Sequence, residues 1–149
     1  MVITTPNRFH VPLARASIEA GIATVVDKPM AATAQEARNL VAESARKRVP
    51  LTAYHNRRWD GEVLTVQKLI ATGELGEVMR FESRLDRWRP GAPPNVWREG
   101  GAPEDAGGVL FDLGPHLIDQ ARMLFGPVTQ LYSELGRRRP GVAVEDDVF

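Results

Sequence analysis

Apolar residues follow two different rhythms along this chain, and the change falls near residue 55. Residues 2–5 form a short apolar run that stops at Pro6-Asn7, which reads as a strand followed by a breaker. From Phe9 to Ala20, Val11, Leu13, Ala14, Ile18 and Ala20 roughly keep helical spacing, and Gly21 takes the place favoured after a helix C-terminus. A β-branched run at 23–26 stops at Asp27-Lys28-Pro29. Thr33 then predicts a helix cap, with Glu36 three residues on completing a capping box. That helix runs through Ala37, Leu40, Val41 and Ala45 to Arg46-Lys47-Arg48, and residues 51–54 make a third strand. Strand, helix, strand, helix, strand with short breakers predicts a parallel sheet wrapped by helices. Three strands and two crossovers amount to half of a doubly wound nucleotide-binding domain, and such a half cannot cover both faces of its sheet.

The remainder has another character. Residues 59–70 predict a helix on Val63, Leu64, Val66, Leu69 and Ile70, ended by Gly73. Residues 77–85 alternate apolar and polar, as a strand with one wet face does. Residues 89–108 hold four of the eleven prolines and predict a long irregular connection, a kind of segment that is usually functional or mobile. A helix over 112–125, stopped by Gly126-Pro127, and strands near 128–135 and at 142–149 complete the pattern. The expected class is α/β: the C-terminal half of a Rossmann domain over 1–55, then part of an α+β domain with an open antiparallel sheet over 56–149. Both termini read as cut.

Composition narrows the function. Hydrophobic residues are 43% of the chain and charged residues 26%, ordinary values for a domain with a core. Nineteen basic and nineteen acidic side chains cancel, so no global field draws in nucleic acid or an anionic membrane. Arg137-Arg138-Arg139 is a short basic run and reads as a solvated turn. No stretch approaches the roughly 20 apolar residues of a bilayer span, and no charged-then-apolar leader opens the sequence. With no cysteine, disulfides, thiolate catalysis and cysteine-type zinc sites are excluded, and a cytoplasmic enzyme is the expectation.

Four segments could carry chemistry. On one helix, Asp112, His116 and Asp119 would share a face, and a carboxylate one turn from a histidine can fix its tautomer and raise its basicity. The alternative makes Asp112 a cap and His116 a buried bystander. Lys28, with Asp27 and Pro29, stands at the carboxyl end of a predicted strand, where α/β sheets bind ligands, and could hold a substrate hydroxyl or a developing oxyanion. Thr5-Pro6-Asn7 and His10 occupy the equivalent end of the first strand, though Asn7 could equally cap the next helix. His55-Asn56-Arg57-Arg58-Trp59 falls at the expected junction, where clefts form, or is a packing and salt-bridge cluster. The three histidines come from separate segments without ligand spacing, so no metal site is expected. No G-x-S-x-G nucleophile elbow occurs.

Taken in order, Thr-Pro-Asn-x-x-His, acidic-Lys-Pro, Asn-Arg-Arg-Trp-Asp and Gly-Gly-x-Leu-x-Asp-x-Gly-x-His-x-x-Asp resemble the Gfo/Idh/MocA oxidoreductases over the whole chain. His55 to Asp60, Trp97-Arg98-Glu99 and the 112–120 segment look most like NADP-dependent scyllo-inositol 2-dehydrogenases and their relatives. The resemblance implies that Lys28 touches nicotinamide and the reacting oxygen, with Asp27 standing where Glu is usual and a Lys28–Pro29 bond often cis. It implies that Asp112, His116 and Asp119 bind substrate hydroxyls, His116 as proton acceptor oriented by Asp112. Thr5, Pro6, Asn7, His10, Asp27, Pro29, Arg58 and Trp59 would line NADP or NAD.

The implied activity is hydride transfer between NAD(P) and a hydroxyl-bearing carbon of a sugar or polyol, by a protein that commonly forms homo-oligomers. The G-x-G-x-x-G loop that holds the pyrophosphate does not occur in this sequence, which implies roughly 60–90 further residues before the first strand. Two rival readings stand beside this one: a glycoside hydrolase of the same family that oxidises its substrate transiently, and a non-catalytic structural or interaction remnant.

Overall fold

The computed structural model describes residues 1–91 and 97–149. The middle of the expected long connection, residues 92–96, lies outside the described residues. The first sheet has three parallel strands in the order β1 (Val2–Ile3), β2 (Thr24–Asp27) and β3 (Leu51–Tyr54). Val2 pairs with Val25, and Asp27 pairs with Tyr54. Both crossovers are helical: α1 (His10–Glu19), entered through a 3₁₀ turn at Asn7–Phe9, and α2 (Ala34–Lys47). The capping box forms as expected, with Thr33 Oγ1 accepting from the Glu36 amide and the Thr33 amide donating to the Glu36 carboxylate.

The side-chain period of two decides which face of this sheet is covered. Ile3 and Val26 point into a core built with Ala14 and Ile18 of α1 and Leu40 of α2, closed by Val49. Their neighbours Val2 and Tyr54 point the other way and stay exposed. Both helices therefore serve one face, and the opposite face is open, as expected for half of a doubly wound sheet.

Beyond β3, a 3₁₀ turn at Asn56–Trp59 leads into α3 (Gly61–Ala71). The strand expected over 77–85 does not form. Residues 77–90 have no ladder partner among the described residues, and Met79 and Trp88 are 84% and 90% exposed. Alternation alone does not make a strand when its backbone groups find no neighbour to bond. The strands expected near 128–135 and 142–149 shrink to β4 (Leu135–Gly136) and β5 (Asp147–Val148), paired antiparallel.

The helix expected over 112–125 forms from Gly114 onward, and a break at Leu113 separates it from the short helix that ends in Asp112. Pro115 has no N–H to donate, and its ring disfavours a helical residue before it. The segment therefore splits into α4 (Val109–Asp112) and α5 (Gly114–Phe125), with Leu113 between them at φ −113°. Asp112 ends one helix and His116 sits in the first turn of the next, so the single shared helical face does not exist. No helix among the described residues is long and apolar enough to cross a membrane.

Candidate functional site

The carboxyl ends of β1 and β2 lie side by side because the strands are parallel and in register. Their exits, Thr5-Pro6-Asn7 and Asp27-Lys28-Pro29, form one wall of a crevice of about 180 Å³. Arg98, Gly108, Phe111 and Asp112 belong to the opposite wall. The Lys28–Pro29 peptide bond is cis, and the Lys28 amide donates to Asp27 Oδ1 at 2.8 Å. Lys28 Nζ reaches across to donate to the Asp112 carbonyl, and lies 3.3 Å from Asp112 Oδ1. Arg98 Nε approaches the same carboxylate oxygen at 3.4 Å, while its guanidinium lies over the Trp97 ring, 4.3 Å from the centroid.

Two glycines allow α4 to approach this wall. Gly108 sits at φ +92°, and a Cβ there would meet the Glu145 carboxylate at 2.1 Å. A Cβ at Gly107 would meet the Arg98 carbonyl at 2.8 Å. Glu145 holds the start of α4 from outside, accepting from the Val109 amide through its carbonyl and from the Leu110 amide through its carboxylate. The second attachment is Asp105, 2% exposed, which takes both ends of the Arg8 guanidinium. Asn7 Nδ2 adds bonds to the Asp105 and Ala106 carbonyls at 2.9 and 3.2 Å. The Arg8 guanidinium holds the Asp105 carboxyl below its ordinary range. The loop that carries α4 is thus tied to the exit of β1.

His116 is 6% exposed and is not among the residues that line the crevice. Its Nδ1 is buried without a partner among the described residues. Burial first, then the charges of Lys28, Arg57 and His55, push the imidazole down to about 4, and the Asp112 carboxylate opposes this only in part. The expected orientation of His116 by Asp112 is corrected on this point. Asp112 makes its bonds with Lys28 and Arg98, and the net environment lowers the basicity of His116 rather than raising it.

Several expected contacts are engaged elsewhere. His10 is 1% exposed, with Nδ1 2.8 Å from the Pro29 carbonyl and Nε2 2.9 Å from the Thr5 carbonyl. It braces the two strand exits from behind instead of lining the crevice. Arg58 donates twice to Asp119, at 2.7 and 2.6 Å, and lowers the Asp119 pKa; His55 Nδ1 stands 3.7 Å from the same carboxyl. Asp119 is therefore held by its own neighbours, and Trp59 is 75% exposed. Arg58, Trp59 and Asp119 all lie outside the crevice. Sequence reasoning gave no role to Asp105 or Glu145. Neither has a local pattern, because their partners lie 97 and 35 residues away.

Comparison with known proteins places the chain in a family. Residues 1–55 match the oxidoreductase family with an NAD-binding Rossmann fold, and residues 63–149 match the GFO/IDH/MocA C-terminal domain. The chain belongs to the Gfo/Idh/MocA oxidoreductase family, whose cofactor class is nicotinamide dinucleotide. It is 47% identical over 98% of its length to the uncharacterized oxidoreductase YdgJ of Escherichia coli K12, covering 41% of that protein. It is 42% identical over 85% of its length to the scyllo-inositol 2-dehydrogenase (NADP(+)) IolW of Bacillus subtilis 168, covering 34% of that protein. The structure of the putative oxidoreductase yvaA from Bacillus subtilis superposes with a TM-score of 0.88 at 35% identity, over 99% of this chain and 40% of that one. The chain thus spans about two fifths of the length of the curated relatives it matches.

The crevice fits the nicotinamide end of such a cofactor on one observation. Thr5 Oγ1 is buried beyond the end of β1 with no partner among the described residues, a hydroxyl left for a polar group from outside. Thr5, Pro6, Asn7 and Lys28 are the residues that would hold that end.

Proposed function

We propose that this chain carries the reaction centre of an NAD(P)-dependent dehydrogenase acting on a hydroxyl-bearing carbon of a sugar or polyol. When bound, the nicotinamide supplies the hydride acceptor or donor. Lys28 Nζ, held at the crevice wall by Asp112, exchanges part of that contact for the substrate oxygen and stabilises charge as it develops there. His116 Nε2 takes the hydroxyl proton during oxidation and returns it during reduction. Asp112 positions Lys28 and accepts from a second substrate hydroxyl. Residues 1–55 form the cofactor side and 56–149 the substrate side. The protein acts in the cytoplasm as a homo-oligomer.

The observation that carries this reading is the Lys28–Asp112 contact at a crevice that also holds the unpartnered Thr5 hydroxyl. Support for the substrate class comes from the dehydrogenase relative that acts on an inositol. The test replaces the matching portion of the E. coli YdgJ relative with this chain and assays NADPH-dependent turnover of inositols and sugars. His116→Ala and Lys28→Met in that chimera are expected to cut turnover by about 10²-fold or more while NADPH affinity changes little. Undiminished turnover in both variants removes the assignment.

A further inference from the structure

A second cavity, of about 450 Å³, adjoins the reaction crevice and shares Arg98, Gly108 and Asp112 with it. Its size suits a small polyhydroxy compound. Four arginines line it, Arg87, Arg89, Arg98 and Arg139, together with the acidic residues Glu99, Asp112 and Glu145.

Each of these acids already has a partner. Glu99 is paired with Arg139 at 2.8 Å, and Arg139 also holds Asp146 at 2.8 Å. Glu145 Oε1 accepts from the Leu110 amide, and Asp112 faces Lys28 and Arg98. Arg87 and Arg89 have no carboxylate within 4 Å among the described residues. Neighbouring arginines of the same segment behave differently: Arg80 pairs with Glu82, and Arg84 with Asp86. Arg87 and Arg89 both line the cavity, while Trp88 between them does not and is 90% exposed. Arg87 and Arg89 thus add planar, fork-shaped cations to the second cavity and not to the crevice that Lys28 lines.

We infer that Arg87 and Arg89 form an oxyanion subsite, and that the substrate is a polyhydroxy compound bearing a carboxylate or phosphate at the end opposite its reacting hydroxyl. The inference rests on the dehydrogenase reading for the position of the reacting carbon, and it adds the charge of the substrate. Guanidinium forks bind such groups in bidentate fashion, and Arg98 marks the passage between the two chambers.

The test uses the chain itself and three probes, D-glucose, D-glucuronate and D-glucose 6-phosphate, with affinities measured by NMR titration at low and high salt. One of the two anions should bind about tenfold or more tightly than glucose, and the advantage should shrink with salt. The arm with the larger advantage identifies carboxylate or phosphate as the recognised group. The double variant Arg87→Gln/Arg89→Gln, at exposed positions, should abolish the advantage and leave glucose binding unchanged. Equal affinity for charged and uncharged probes, or an advantage that persists in the double variant, overturns the inference. NADPH stabilisation of the same samples separates the two claims: anion preference lost with NADPH binding retained sinks this subsite alone. Anion preference retained without any NADPH effect sinks the dehydrogenase reading instead.

Discussion

Lys28 and Asp112 are 84 residues apart in the chain, yet Lys28 Nζ lies 3.3 Å from Asp112 Oδ1 and also bonds the Asp112 carbonyl. The pair joins the end of β2 to the end of α4, and it sets the field at His116 with opposite signs from its two members. Lys28 lowers the His116 pKa and Asp112 raises it.

Removing one member at a time therefore moves His116 in opposite directions. Starting from about 4, Lys28→Met should raise the His116 pKa and Asp112→Asn should lower it further. An NMR titration of the imidazole protons reads both. Shifts of the same sign in the two variants would contradict the arrangement.

Stability should also depend on His116. Its pKa is 6.5 before perturbation and about 4 in the folded chain, so the unfolded state binds a proton that the folded state refuses. The contribution is fully present above pH 6.5 and disappears as pH falls through the interval down to about 4. Across that interval the loss is on the order of 3 kcal/mol by linkage. His116→Gln should flatten the dependence of denaturant midpoint on pH between 6.5 and 4. A slope unchanged in the variant would show that other groups dominate.

Two glycines with positive φ separate strain from crowding. Gly108 (φ +92°) has the Glu145 carboxylate where a Cβ would go, whereas Gly126 (φ +87°) has open space around it. Gly126→Ala should cost about 1 kcal/mol, the backbone preference alone. Gly108→Ala should cost more, about 2–4 kcal/mol, because Glu145 must also leave the start of α4. Thermal melts rank the two, and equal losses would mean that Glu145 moves freely.

The first half of this fold was legible because its signals are local. Thr33 with Glu36 marks a helix start, Gly21 a stop, and β-branched runs mark strands whose partners are close in sequence. The second half was less legible. A period-two pattern at 77–85 is compatible with a strand, but only a partner makes one. The spacing of Asp112, His116 and Asp119 suggested a shared face, and Pro115 cancels it by ending α4. Lys28 and Asp112 were identified by motif, but their contact spans too much chain to be read from either segment. Asp105 and Glu145 act on loops far from them in sequence, so no window could have shown them.

The core offers a direct comparison of neighbours. Leu40 is fully buried between α2 and the sheet, while Val41 on the same helix is 53% exposed. Leu40→Ala should cost about 2–5 kcal/mol through lost burial and a cavity. Val41→Ala should stay within about 0.5 kcal/mol. Urea denaturation of both tests whether the covered face of the sheet is the one described.

Thr5 provides the sharpest separation of structure from ligand binding. Its Oγ1 is buried and has no partner among the described residues, so the hydroxyl carries a desolvation cost that none of them offsets. Replacing it with a methyl of nearly the same shape removes that cost. Thr5→Val should leave the melting temperature unchanged or raise it slightly, unlike a hydroxyl that holds the fold together. If the hydroxyl is there for a nucleotide, the same variant should lose part of the thermal stabilisation that NADPH gives the unaltered chain, because a ligand stabilises only in proportion to its affinity for the folded state. A Thr5→Val chain that melts several degrees lower without ligand would show that the hydroxyl serves the fold. One that keeps the full NADPH shift would remove Thr5 from the cofactor wall.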